Sequence, residues 1–324
     1  MSEVPRWRAA KVFFQARLGG AVRKVPLDAG FSCPNRDGTL SRAGCSFCNP
    51  AGSGSGLFAQ GVGLAAQWAR QAARIRSRHP GARLLAYLQA YSNTHATPER
   101  LRAVLAEVAA LPGVCGLCLG TRPDCLDADS HAARLDILAQ TGLGFVQLDL
   151  GLQSADDAVL ERANRGHGAQ VFARAVHAAA VRGLSVCAHL VHGLPGAQPD
   201  DLARSVEFLN ALPVAGVKFH NLLVCRGAAL AAQWRDGGFA LPGREAYVDA
   251  LIDALERLRP DIRVERLFAD PAPGELIAPD WAADKAASLR LLRQKMRERD
   301  TWQGRAGHCP DRLPDWNMYD TEEP

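Results

Sequence analysis

The sequence predicts an α/β fold wound on a parallel sheet, and three observations predict it. Short apolar runs of strand length alternate with amphipathic stretches of helix length, from about residue 60 onward. Turn formers close the runs, as in Tyr91-Ser92-Asn93 and Gly120-Thr121-Arg122-Pro123-Asp124. Hydrophobic residues make up 48% and charged residues 22% of the 324, enough apolar material for a substantial core.

Taken in order, Lys24–Leu27 is a first short strand before a cysteine-bearing segment. Gln60–Arg78 places Leu64, Trp68, Ala72 and Ile75 on one helical face, and Leu84–Gln89 follows as a strand. Pro98–Leu111 is helical, with Thr97 as its N-cap and Pro98 in the first turn. Val114–Leu119 is a buried strand, Ser130–Gln140 a helix capped by Gly142, and Phe145–Leu150 the next strand. Ser154 and Asp157 form an N-capping signature for a short helix. Val171–Arg182 is a helix ended by Gly183, and Ser185–Leu190 a strand. Pro199–Leu212, Gly216–His220, Arg244–Leu258, Ile262–Arg266 and Ala282–Arg299 continue as helix, strand, helix, strand and basic helix. This makes six β/α units with Ile262–Arg266 as an added strand, and right-handed parallel crossovers follow. An open barrel and a doubly wound sheet both fit that pattern. The tail after Asp300 is polar and expected to dock loosely.

The charge balance is mild, with 38 Lys and Arg against 34 Asp and Glu, a formal net charge of +4. Basic residues concentrate in 6–11, 70–83 and 290–299, a pattern that suits either a phosphate-binding surface or solvated helix faces. No apolar run reaches the roughly 18–20 residues of a membrane helix, and residues 1–11 carry no apolar signal core. The nine cysteines are odd in number. These features together predict a cytoplasmic protein with no membrane partner, using its thiols for metal binding or packing and not for a disulfide framework.

The chemistry concentrates in Phe31-Ser32-Cys33-Pro34-Asn35-Arg36-Asp37-Gly38, running on to Gly44-Cys45-Ser46-Phe47-Cys48-Asn49. Eleven residues separate Cys33 from Cys45 and two separate Cys45 from Cys48. Rich in turn formers and following a strand, the segment is a loop at the carboxyl end of the sheet, where parallel α/β folds bind ligands. Structural zinc needs four closed ligands, and this stretch supplies three thiolates without a neighbouring histidine. A [4Fe–4S] cluster on three cysteines leaves one iron open to a small molecule.

The loop resembles the cluster loop of the radical SAM superfamily, in a longer-spaced variant of its three-cysteine motif. It is most similar to the YhcC/YtqA-type proteins, whose core is related to the Elongator catalytic subunit. The resemblance is carried by Lys24–Thr39, Gln89–Thr94, Gly120–Asp124, Leu150–Ser154, Asn164–His167, His189–Gly196 and Val217–His220, and spans roughly residues 10–300. It implies a partial (β/α)6 radical SAM barrel, with the cluster loop after the first strand and a C-terminal helical extension. The organisation would be an N-terminal extension (1–23), a core barrel (24–268) and a C-terminal helix and polar tail (269–324). By the same resemblance Cys33, Cys45 and Cys48 would ligate a [4Fe–4S] cluster and S-adenosylmethionine (SAM) would chelate the open iron. Gln89, Tyr91 and Asn93 would meet the methionine amino group and Gln153 the ribose, and Gly193 and Gly196 would let the backbone approach the adenine. Arg122 and Arg165 would contact SAM or substrate, or salt-bridge within the barrel mouth. Reductive cleavage of SAM would give a 5′-deoxyadenosyl radical, with tRNA wobble uridine as the target and a flavodoxin or ferredoxin as electron donor. A small-metabolite substrate, or a cluster- or zinc-bearing nucleic-acid-binding protein without turnover, are the competing readings.

Lys218, His189 and His220 are the candidate catalytic residues, on inward faces of the fifth and sixth strands; satisfied barrel polar groups are the competing role. Cys115 and Cys118, three apart on a strand, face opposite ways and cannot share a metal without a bulge, so they are expected as buried thiols, like Cys187. Cys125 and Cys225 fall near strand ends, and Cys309 beside His308 lies in the tail as an exposed thiol or a stray ligand.

Overall fold

Strand stretches such as Leu84-Leu85-Ala86 and Val186-Cys187-Ala188 are apolar on both faces, the signature of strands covered from both sides. The computed structural model, which describes residues 5–52, 54–126 and 131–320, bears this out. Six strands, β1 (Val22–Leu27), β2 (Arg83–Leu88), β3 (Val114–Thr121), β4 (Val146–Gln153), β5 (Ser185–His192) and β6 (Gly216–Asn221), lie side by side in chain order. A two-residue strand, β7 (Val224–Cys225), precedes β8 (Arg263–Arg266), which completes a seven-stranded, wholly parallel sheet beyond β6. Lys24 on β1 and Glu265 on β8 meet at 2.8 Å, so the sheet curls until its two edge strands share an ion pair. The fold is therefore a curled half-barrel, the open-barrel alternative of the sequence reading. A ribbon of β7 with β9 (Leu276–Ala278) stands beside its mouth.

Helices wrap the outside. After α1 (Ala10–Leu18) come α2 (Leu64–Arg78), α3 (Pro98–Ala109), α4 (Ala132–Ala139), α5 (Asp157–Arg162), α6 (Ala169–Ala180) and α7 (Asp201–Asn210), then α8 (Leu230–Arg235), α9 (Arg244–Arg257) and α10 (Lys285–Glu298). Trp68, Leu101, Leu117, Phe172, Val206 and Leu251 are among the side chains sealed in the helix–sheet core. Thr97 caps α3 as expected, its hydroxyl accepting from the Arg100 amide. Ser130, the expected start of α4, lies outside the described residues.

Three expectations are corrected. The cap of α5 is Asp156, which accepts from the amides of Ala158 and Val159; Asp157 instead accepts from Ala169 N and so starts α6, while Ser154 ties Asp156 N to Asp201. Cys115 and Cys118 lie on the same side of β3, because a register shift against Leu84 and Ala86 inserts an extra β3 residue. They pack with Phe13, Phe14, Leu85 and Phe145, so α1 plugs the amino-terminal end of the barrel. The tail is not loose: Gln303 is fully buried, donating to the carbonyls of Arg259 and Ile262 and accepting from Arg8 N. Cys309, half-buried, donates to Gln303 O. No helix among the described residues is long and apolar enough to cross a membrane.

Candidate functional site

The cysteine loop holds its shape through its own backbone. Arg36 N and Asp37 N donate to Cys33 O, Gly44 N to Asn35 O, and Cys48 N to Cys45 O. Side chains then fasten it to the barrel. Asn35 donates to Asn164 O and Asn164 returns a bond to Gly44 O, both at 2.6 Å. Arg36 caps the carbonyls of Cys48 and Asn49, Asn49 donates to Glu275, and the Tyr91 hydroxyl donates to Pro50 O. Asp37 accepts from Ser32, Thr39 and His95, and these bonds keep its carboxyl well below the usual carboxylate range.

This lacing brings Cys33, Cys45 and Cys48 to one end of a cavity of about 510 Å³ at the carboxyl ends of the strands. Cys45 is buried, and its sulfur receives the Asn35 amide at 3.5 Å, Arg165 at 3.5 Å and Arg122 at 3.8 Å. A hydrogen bond from the Cys48 thiol, and then the two guanidiniums, hold the Cys45 thiol well below the ordinary thiol range. The same shared proton pushes Cys48 up. Arg122 is itself forked onto Asp124 and donates to Arg165 O, while Arg165 donates to Gly151 O. Gly151 leaves room for these two side chains, since a Cβ there would stand 2.5 Å from the Gln153 amide and 2.6 Å from Arg165 and would push their ends aside.

Gln89, Tyr91, Arg122, Gln153 and Arg165 all line the cavity, as do His189 and His220. Tyr91 and Gln153 hold left-handed backbones, φ 57° and 79°, at the ends of β2 and β4. Such conformations cost of order 1–3 kcal/mol in a residue with a side chain, and they cluster at ligand sites.

Four expected site residues are not on the cavity wall. Asn93 is fully buried and its amide donates to the carbonyls of Leu88, Ala90 and Gly120, clamping the ends of β2 and β3. The space beside Gly193 is filled by Pro242 and that beside Gly196 by Arg162, so neither backbone faces the cavity. Lys218 lies below the floor, paired with Asp149, 3.9 Å from Glu265 and 3.4 Å from the Tyr87 hydroxyl. Those two carboxylates hold its ammonium above the usual lysine range against the pull of burial, so it is a satisfied cation. Of the cysteines left open, Cys225 lines the cavity, whereas Cys125 is buried outside it.

Sequence reasoning missed Asn35 and Arg36, which shape the loop, and the charged layer inside the barrel formed by Tyr87, Asp149, Glu265 and Arg266. A signal existed. Gln147 and Asp149 alternate in a strand that is otherwise apolar, which a strand buried on both faces does not tolerate unless polar partners line the interior. Among the described residues, the one group of three ligand-type atoms all within 4.8 Å of one another is Asp149, Cys187 and His189. Its carboxylate is already taken by Lys218.

Comparison with known proteins comes to bear on this geometry. Residues 33–209 match the family model of the radical SAM superfamily, and residues 214–298 match that of the radical SAM C-terminal domain. Protein YhcC of Escherichia coli K12 is 36% identical over 284 residues, 87% of this chain and 89% of that protein. The tRNA uridine(34) acetyltransferase of Dehalococcoides mccartyi is 29% identical over 159 residues, 48% of this chain and 33% of that protein. Among solved structures, Methanocaldococcus infernus Elp3 lacking residues 1–46 superposes with a TM-score of 0.63 at 16% identity, covering 87% of this chain and 64% of that one.

Proposed function

The chain belongs to the radical SAM superfamily and its YhcC/YtqA-type family, and from that premise we propose that Cys33, Cys45 and Cys48 hold the cluster of an enzyme that modifies tRNA at the wobble uridine. It is a radical SAM enzyme, and the superfamily's cofactors are a [4Fe–4S] cluster and SAM. The observation that carries the ligand assignment is the convergence of three thiols at one end of a cavity large enough for a nucleoside-sized cofactor. When bound, the cluster supplies the electron that cleaves SAM to methionine and the 5′-deoxyadenosyl radical.

The protein's own residues bind, orient and shield. Arg122 and Arg165 offset the charge of the thiolates, and Arg122 is held in place by Asp124, so neutralisation needs no rearrangement. Gln89, Gln153 and Tyr91 present polar groups along the wall where methionine and ribose hydroxyls would lie. Glycines at 52 and 54 keep the loop against Tyr91 and Ala90, where a Cβ would come within 2.4 Å and 2.7 Å. Val191 and Leu222 supply apolar wall that keeps water from a reactive intermediate.

The tRNA assignment is supported by the similarity to the tRNA uridine(34) acetyltransferase. Nucleoside profiling of tRNA from a deletion strain against its parent tests it. Loss of a modified wobble nucleoside is the expected result. An unchanged profile rejects the tRNA reading and redirects attention to a small-molecule substrate.

A further inference from the structure

Away from the cysteines, the cavity reaches down to a layer of side chains whose charges do not balance. Four cations enter the barrel interior: Lys24, Lys218, Arg263 and Arg266. Two carboxylates answer them, Asp149 and Glu265. Lys24 takes Glu265 at 2.8 Å, Lys218 takes Asp149, and Arg263 reaches Glu265 at 3.5 Å while donating to Gln147 and Ser185. Arg266 is left over. Among the described residues its side chain makes no hydrogen bond or ion pair, and it lines the cavity. The other acids on the cavity wall are engaged elsewhere, Asp270 with Lys285 and Glu275 with Asn49.

The fold goes out of its way to aim Arg266 inward. Neighbouring residues on a strand face opposite sides. A register shift between β6 and β8 pairs Val217 with Val264 and then Lys218 with Arg266, so Glu265 is the extra residue. Both Glu265 and Arg266 therefore face the interior, a re-aiming that bulges beside functional sites commonly achieve. Next to it His220 and His189 stand 5.3 Å apart, and the Nε2 atom of each is buried with no hydrogen-bond partner. The Asp149 carboxylate is 3.6 Å from His189 Nε2, too far for a bond. An unpaired guanidinium beside two orphaned ring nitrogens is an incomplete arrangement.

We propose that Arg266, His220 and His189 form a subsite that accepts an oxyanion, a carboxylate or phosphate group, carried by the molecule on which the enzyme acts. The proposal rests on the cavity being the reaction chamber and does not depend on that molecule being tRNA. The anion restores the charge balance of the interior and supplies the acceptor that the guanidinium and the rings lack. Burial, and then the positive charges of Lys218 and Arg266, keep both rings neutral before it arrives; Asp149 alone opposes them. An arriving anion therefore draws a proton onto His220.

The test is calorimetric titration of inorganic phosphate and, separately, of acetate into the reconstituted holoenzyme in buffers of different ionisation enthalpy. The expected result is one site per chain for at least one probe, with proton uptake. Affinity should fall at least tenfold in Arg266→Gln, fall less in Arg266→Lys, and stay unchanged in Arg293→Gln on the exposed face of α10. Tighter phosphate points to a phosphoryl or phosphodiester group, tighter acetate to a carboxylate. Binding of neither probe by the wild-type chain, or undiminished binding in Arg266→Gln, overturns the proposal. Because the probes are titrated without tRNA, failure here and failure of the wobble-uridine reading are separate results.

Discussion

Lys218, a candidate by its place on the sixth strand, stands in the fold as a buried and paired cation. It sits one step below His220 on β6, buried, with Asp149 and Glu265 both in reach. Desolvation of an ammonium costs several kcal/mol, and attraction to two buried carboxylates offsets it only while both partners stay. Lys218→Met should therefore destabilise the fold by about 3 kcal/mol, because it strands Asp149 with Lys24 as its remaining nearby lysine. Urea unfolding measures this, and a cost under about 1 kcal/mol would mean the pair is solvated. Lys218 was nameable from the sequence as an inward lysine. Its role was not, because the deciding facts are carboxylates 69 and 47 positions away in the chain. Asn93 illustrates a related point: an amide beside a strand end suits a ligand and a carbonyl clamp equally, and its nitrogen donates to three backbone carbonyls at the ends of β2 and β3.

At the scale of elements, periodicity read the helices and strands of the barrel nearly end to end, since each buries one continuous apolar face. It failed where an element depends on distant partners. Helix α1 has a weak apolar stripe and no side-chain N-cap, and Gly19 at its C-cap is the one local signal it carries; it forms because Phe13 and Phe14 pack on Phe145 and Arg263 stacks over Phe13 at 4.0 Å. Packing should thus dominate its energetics. Phe13→Ala is expected to cost about 3–5 kcal/mol, against about 1 kcal/mol for removing the α3 cap with Thr97→Ala. Paired denaturation curves check the ranking, and equal costs would contradict it. The bulges at β2–β3 and β6–β8 were equally hidden, because an inserted residue leaves the hydrophobic pattern almost unchanged while turning Cys115 and Arg266 inward.

For the whole molecule, buried titrating groups set the response to acid. Burial holds His192 at about 4, and burial with Lys218 holds His189 at about 4. Unfolded histidines bind protons near 6.5, so the unfolded chain takes protons that the folded one refuses, and stability should drop as pH falls from about 6.5 to 4. Burial opposes ionisation of Glu265, but Lys24 and Lys218 prevail and hold it at about 2, so its contribution is present above 4.5 and fades as pH falls to about 2. Unfolding free energy measured against pH should show both losses, with the upper one shallower in His192→Gln. A profile flat from 6.5 to 4 would mean those rings are protonated in the folded state.

The three thiols carry the account, and metal analysis of their serine variants tests it most directly. After anaerobic reconstitution the wild-type chain should hold about four irons and four sulfides. On reduction it should release 5′-deoxyadenosine from SAM, while Cys33→Ser, Cys45→Ser and Cys48→Ser should each lose the cluster signal and the release together. Retention of both in any one of the three variants, or a single zinc in the wild type, would contradict it.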